Sequence, residues 1–235
     1  MPLVEIVVED LNGAKIAAQA GAGSIELCVN LDQGGLTPPK ELMQAVMAHV
    51  KETGSSMQCH CLILDEPSKF RVEAENLVAL KRGIMDAAEA GVTGVVFGAL
   101  TAGNKLDIPV LSELAAVAKG MQITHHRAFD RIIDQKAAID ELVELGFSRI
   151  LTSGKPGCAG DHIEHIRELV VHADNRIAIV AGGGVRPANI EAILTGTKVP
   201  VIHMSARADT PDATGFKPTD PAKVRTVIGL VRGNG

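Results

Sequence analysis

Gly120-Met121-Gln122-Ile123-Thr124-His125-His126-Arg127-Ala128-Phe129-Asp130 begins as a short apolar run and ends in a cluster of titratable groups. A helical pattern follows, opening near Asp134. Polar side chains at the carboxyl end of a strand, just before a helix, are where α/β folds place their chemistry. The stretch therefore reads as one strand–helix unit with its functional end marked.

The same unit recurs on both sides. Apolar runs stand at Leu3–Val8, Ser24–Val29, Met57–Leu64, Gly94–Leu100, Arg149–Thr152, Arg176–Ala181 and Val199–Ser205. Amphipathic stretches alternate with them at Leu11–Ala20, Ile108–Ala118, Pro187–Leu194 and Pro221–Val231. Four more run from a Thr37 cap with Pro38 at the first helical position to about Glu52, from about Ser68 to Ala90, from about Gln135 to Leu145, and from an Asp161 cap to about His172. Eight such units in 235 residues predict a closed (β/α)8 TIM barrel, with residues 1–235 as one domain. A doubly wound sheet is the runner-up, weakened because no glycine fingerprint follows the first strand.

Composition agrees. Hydrophobic residues make up 46% of the chain but aromatics only 2%, so the core must be aliphatic, as in parallel strands buried on both faces. A net charge of −5 with no basic run argues against nucleic acid. No apolar run reaches the roughly 18 residues of a membrane span, and no signal peptide is apparent. The four cysteines lack the spacing of a secreted disulfide framework, which points to a reduced, cytoplasmic protein.

Alternation along the strands selects the candidate site residues. Glu5 and Glu26 sit inside buried runs; facing the helices, each would be an unpaired buried charge, so both are expected at the barrel mouth, with Val7 and Cys28 on their faces. Ion pairs with Arg127 or Arg149 are the structural alternative. In the fifth strand Thr124 and His126 share one face, His125 and Arg127 the other; His203 and Ser205 share a face of the eighth. Glu5, Glu26, His126, Arg127, Asp130 and His203 form the candidate catalytic set. Gly182-Gly183-Gly184, Ser205 and Arg207, after strands seven and eight, are a candidate anion site, because glycine lets backbone N–H groups approach an anion. Cys59-His60-Cys61 alternates faces and cannot close one tetrahedral metal site, so its thiols are expected in the core. Cys28, on the glutamate side, is a candidate Cu(I) ligand against the plainer reading of a small buried hydrophobe.

Several segments together resemble the CutC family of copper-homeostasis proteins: Val4-Glu5-Ile6, Ile25-Glu26-Leu27-Cys28, Gly34-Gly35-Leu36-Thr37-Pro38, His126-Arg127-Ala128-Phe129-Asp130, Leu151-Thr152-Ser153-Gly154, Gly182-Gly183-Gly184-Val185 and His203-Met204-Ser205-Ala206-Arg207. The resemblance implies a cytoplasmic barrel, Cu(I) bound through cysteine, and self-association into a homo-oligomer. It also exposes departures. Val7 stands where members commonly have a first-strand cysteine, and Leu64-Asp65-Glu66-Pro67-Ser68-Lys69-Phe70 replaces the family's Arg-Pro-Arg-Gly-Gly-Asp-Phe. His125 replaces an apolar or aromatic residue, and the segment from Arg207 to Asp220 is short for the family. The resemblance implies, as the expected function, a copper-homeostasis protein that binds Cu(I) through Cys28 with His60 as second ligand. The alternative, which the clustered acids and histidines favour, is an isomerase, lyase or hydrolase of a small anionic or phosphorylated substrate. An oligomeric scaffold is the plainest reading.

Overall fold

In the computed structural model, which describes residues 1–66 and 70–233, the strands close into a parallel barrel in chain order. They are β1 (Leu3–Val8), β2 (Ser24–Leu27), β3 (Gln58–Leu62), β4 (Gly94–Phe97), β5 (Gln122–His125), β6 (Arg149–Thr152), β7 (Ala178–Ala181) and β8 (Val201–Ser205). Each is followed by a helix: α1 (Leu11–Ala20), α2 (Lys40–Glu52), α3 (Ala74–Ala90), α4 (Ile108–Val117), α5 (Gln135–Glu144), α6 (Ile163–Ala173), α7 (Pro187–Thr197) and α8 (Pro221–Gly233). β8 pairs with β1, so no sheet edge is left to solvent. No described helix is long and apolar enough to cross a membrane.

The helix starts obey local chemistry. Asp10, Asp107 and Asp134 cap α1, α4 and α5, each accepting from a backbone N–H three residues on. Thr37 does not cap α2, which begins at Lys40 instead. Its hydroxyl donates to the Leu64 carbonyl and accepts from the Leu64 N–H, which ties the loop after β2 to the end of β3. Asp161 lies in a short 3-10 turn before α6, which starts at Ile163. The start expected for α3 near Ser68 falls outside the described residues; the helix is continuous from Ala74.

Pleating divides each strand between two environments. Ile6, Val8, Ile25, Leu27, Cys59, Cys61, Val95, Phe97, Ile150 and Ile179 face outward and pack with the helices in the main core. Burying an aliphatic side chain of this size contributes ~1.5–3 kcal/mol, so this layer carries most of the stability. The thiols of Cys59 and Cys61 thus lie where alternation placed them. The alternate positions face inward, with a small apolar cluster of Leu151, Val180 and Val201 on one side. Most of the remaining interior is polar.

Candidate active site

Glu5 is the hub of the barrel interior. The register sets it beside Ser24 of β2 and His203 of β8. The Ser24 hydroxyl donates to its Oε2 at 2.9 Å, Arg149 Nη2 donates to the same oxygen at 2.7 Å, and His203 Nδ1 lies 3.0 Å from Oε1. His60 Nδ1 is 3.1 Å from Oε2. Burial opposes ionisation of this carboxyl, but the Arg149 charge and the hydrogen bonds from His203 and His60 outweigh it and hold its pKa well below the usual carboxylate range. Of the two arginines that sequence offered as partners, the structure selects Arg149.

Glu26 is one step nearer the mouth, beside Val7 and His60 in register. It is 7% exposed, and its Oε2 has no hydrogen-bond partner among the described residues. Burial pushes its pKa up; the His203 charge counters this, and the negative charge of Glu5 adds to it. His203 responds in turn. Burial disfavours its imidazolium, yet Glu26 and the bond to Glu5 overcome that and raise its pKa. The result is an ionised Glu5 with Glu26 and His203 beside it, the charge of each shifting the titration of the other. One oxygen or nitrogen from each of Glu5, Glu26 and His203 falls within 4.8 Å of the others, a metal-like spacing. Both oxygens of Glu5 are already engaged, so we read the trio as a proton network.

Above this network opens a cavity of about 430 Å³ lined by Glu26, His203, His126, Arg127, Gly183, Gly184 and Ser205, with Val7, Leu62, Leu64, Phe70 and Leu151 as apolar walls. Five of the six residues expected to carry catalysis are therefore adjacent: Glu26, His203, His126 and Arg127 at the cavity, and Glu5 beneath it.

His126 and His125 diverge, as pleating requires. His125 faces the helix layer among Phe97, Phe129 and Phe147, its Nδ1–H donating to the His126 carbonyl at 3.0 Å, and burial lowers its pKa to about 3. His126 turns inward. Its Nδ1 accepts from the Ala128 N–H at 3.3 Å, its ring centroid lies 5.1 Å from that of Phe70 with the planes tilted by 59°, and burial lowers its pKa to about 4. With Nδ1 accepting from the Ala128 N–H, a neutral His126 carries its hydrogen on Nε2 and offers a donor. Gly98 makes room for both rings: a Cβ there would sit 2.6 Å from His126 Nδ1 and 2.8 Å from His125 Nε2.

Asp130 serves Arg127. It is buried and does not line the cavity; it accepts from the Thr152 hydroxyl, from the Ser153 N–H and hydroxyl, and from Arg127 Nε at 3.0 Å. Arg127 Nη2 also donates to Ser153 Oγ and the Gly157 carbonyl. That clamp lays the guanidinium, about 40% exposed, against Gly183, where a Cβ would come within 2.6 Å of Cζ. The N–H groups of Gly183 and Gly184, both at positive φ, donate to no other described residue. Gly182 differs: its N–H donates to the Thr152 carbonyl, and it packs on Leu151 and His203. Arg207 also departs from expectation. It pairs with Asp32 at 2.9 Å and Glu9 at 3.6 Å and does not line the cavity, so the cationic group at the mouth is Arg127.

The proposed copper ligands occupy separate surroundings. Cys28 is fully buried in an apolar cluster with Val7, Leu62, Leu64 and Val96. Burial, followed by the charges of Glu26 and Glu9, raises its pKa far above that of a free thiol. His60 faces inward, but its ring nitrogens are engaged by Arg149, Glu5 and Gln122. A lone, protonated thiol without a second soft ligand does not fit Cu(I). Alternation did not reveal Ser24, Gln122 and the His60–Arg149 contact; the available signal was a polar residue at the inward position of consecutive strands.

Comparison with known proteins agrees over most of the chain. A family model described as the CutC family matches residues 2–208. A copper homeostasis protein cutC homolog of Mus musculus is 32% identical over 248 residues, covering 98% of this chain and 89% of the relative. A family protein CutC of Glaesserella parasuis serovar 5 (strain SH0165) is 37% identical over 204 residues, 87% of this chain and 82% of the relative. A crystal structure described as the copper homeostasis protein CutC of Streptococcus agalactiae superposes with a TM-score of 0.81 at 33% identity, over 86% of this chain and 98% of that one.

Proposed function

The chain belongs to the CutC family, and we propose that it is an acid–base enzyme acting on a small anionic substrate at the barrel mouth. One observation carries the reading. A buried glutamate with an unpartnered oxygen, Glu26, borders the cavity directly above a second glutamate fixed in its ionised form by Arg149. Two nearby carboxyls whose environments drive their pKa values apart are the usual sign of acid–base work. Glu26 is the proton-transferring group and His203 its partner. Glu5 and Arg149 set the field, and Arg127 with the Gly183 and Gly184 amides takes the anionic group. Four free thiols fit a reducing compartment, and we include cytoplasmic residence in the reading.

The name of several relatives raises copper, but the donor set around Cys28 argues against a resident Cu(I) ion in this member. The enzyme reading is tested by thermal shift with a panel of small carboxylates and phosphate monoesters. At least one should stabilise the protein, and Arg127→Met should abolish the effect. A panel without a single stabilising anion refutes the reading.

A further inference from the structure

Among the residues lining the cavity, two buried side-chain atoms lack a partner, one an acceptor and one a donor. The acceptor is Glu26 Oε2. The donor follows from the tautomer of His126. Its Nδ1 accepts the Ala128 N–H. A neutral imidazole has one accepting and one protonated nitrogen, so Nε2 bears the hydrogen. That Nε2 is buried and has no partner among the described residues, and the residue is 6% exposed. Buried polar atoms are nearly always paired; of the orphaned side-chain atoms among the described residues, two belong to residues that line this cavity, which points to a ligand there.

We propose that the substrate is a small carbonyl compound bearing an anionic group, and that the site enolises it. His126 Nε2–H holds the carbonyl oxygen, Glu26 removes the proton from the adjacent carbon, and Arg127 holds the anionic group. This rests on the acid–base reading above and names its substrate class. In the step, the C–H bond breaks and its proton goes to Glu26. The C–H electron pair forms the new C=C bond, and the carbonyl π pair moves onto oxygen as an enolate. Return of a proton from Glu26 to carbon regenerates a ketone, so no oxidant or reductant is consumed.

The surroundings suit this charge movement. Phe70, Leu62, Leu64 and Leu151 wall the cavity, which thins the water around a developing oxyanion and strengthens the N–H···O bond. Glu26 on β2 and His126 at the end of β5 approach from strands three apart around the barrel, so a molecule between them meets base and donor on different sides.

The probes are pyruvate and dihydroxyacetone phosphate in D2O, with proton loss at the carbon next to the carbonyl followed by 1H NMR and binding by thermal shift. At least one should bind and exchange faster than in buffer. Glu26→Gln should slow exchange ~10²-fold or more. His126→Leu should lose a similar factor, while His126→Gln, which keeps an N–H, recovers part of it. Binding without exchange overturns enolisation and leaves the anion-binding enzyme standing; failure of both probes to bind overturns the substrate assignment. 15N NMR of the wild type is a check that needs no variant. A hydrogen on Nδ1 rather than Nε2 of His126 at neutral pH overturns the proposal.

Discussion

Arg149 and Glu5, 144 residues apart in sequence, meet with Nη2 2.7 Å from Oε2 inside the barrel, both almost wholly excluded from solvent. Breaking such a pair leaves an uncompensated buried charge. Arg149→Met should therefore cost about 3–5 kcal/mol in urea unfolding. Adding Glu5→Gln should return a good part of that, because the stranded charge is gone. A single variant within about 1 kcal/mol of wild type would mean that the pair does not hold the interior together.

Glu26 has the opposite linkage to Glu5. Its folded pKa is raised, so its contribution to stability is complete below the unfolded value of about 4.3 and is lost as pH rises through the folded value. Glu26→Gln should gain on wild type across that window. Unfolding curves for both proteins at several pH values would settle it; a difference that does not vary with pH would refute the raised pKa.

His125 is held neutral, with its pKa lowered to about 3. A depressed histidine gives stability that is fully present above its unfolded value of about 6.5 and lost as pH falls toward the folded one. The limiting slope is about 1.4 kcal/mol per pH unit for one proton. His125→Phe, which keeps an aromatic ring among Phe97, Phe129 and Phe147, should flatten the acid limb of the stability profile between pH 6 and 4 by close to that slope. An unchanged limb would show that the ring is already charged or solvated in the native state.

Cu(I) affinity measured anaerobically against a competing chelator should be weak and the same for wild type and Cys28→Ser. Val7 shares the apolar cluster of Cys28, so Val7→Cys places a second soft donor beside the first, and affinity should rise steeply. A large loss on Cys28→Ser in the otherwise native chain would restore the single thiol as a copper ligand.

The sequence determined the barrel, because its signals are local. Apolar runs alternating with capped amphipathic stretches need only neighbouring residues to be recognised, and Asp10, Asp107 and Asp134 act as caps through contacts three positions away. Period-two alternation likewise placed Cys59 and Cys61 in the helix-facing core and Glu5 and Glu26 inside. Alternation gives a face but no partner. That Glu5 pairs with Arg149, that Arg207 is tied up by Asp32 and Glu9, and that Asp130 serves Arg127 all depend on how the strands stagger around the closed barrel. The charge state of His126 was illegible for the same reason: Phe70, 56 positions earlier in the chain, and the Ala128 amide create its environment only once the chain has folded. Only the tertiary structure decided these points, because a pKa reflects every charge and every excluded water around a group, and sequence spacing encodes neither.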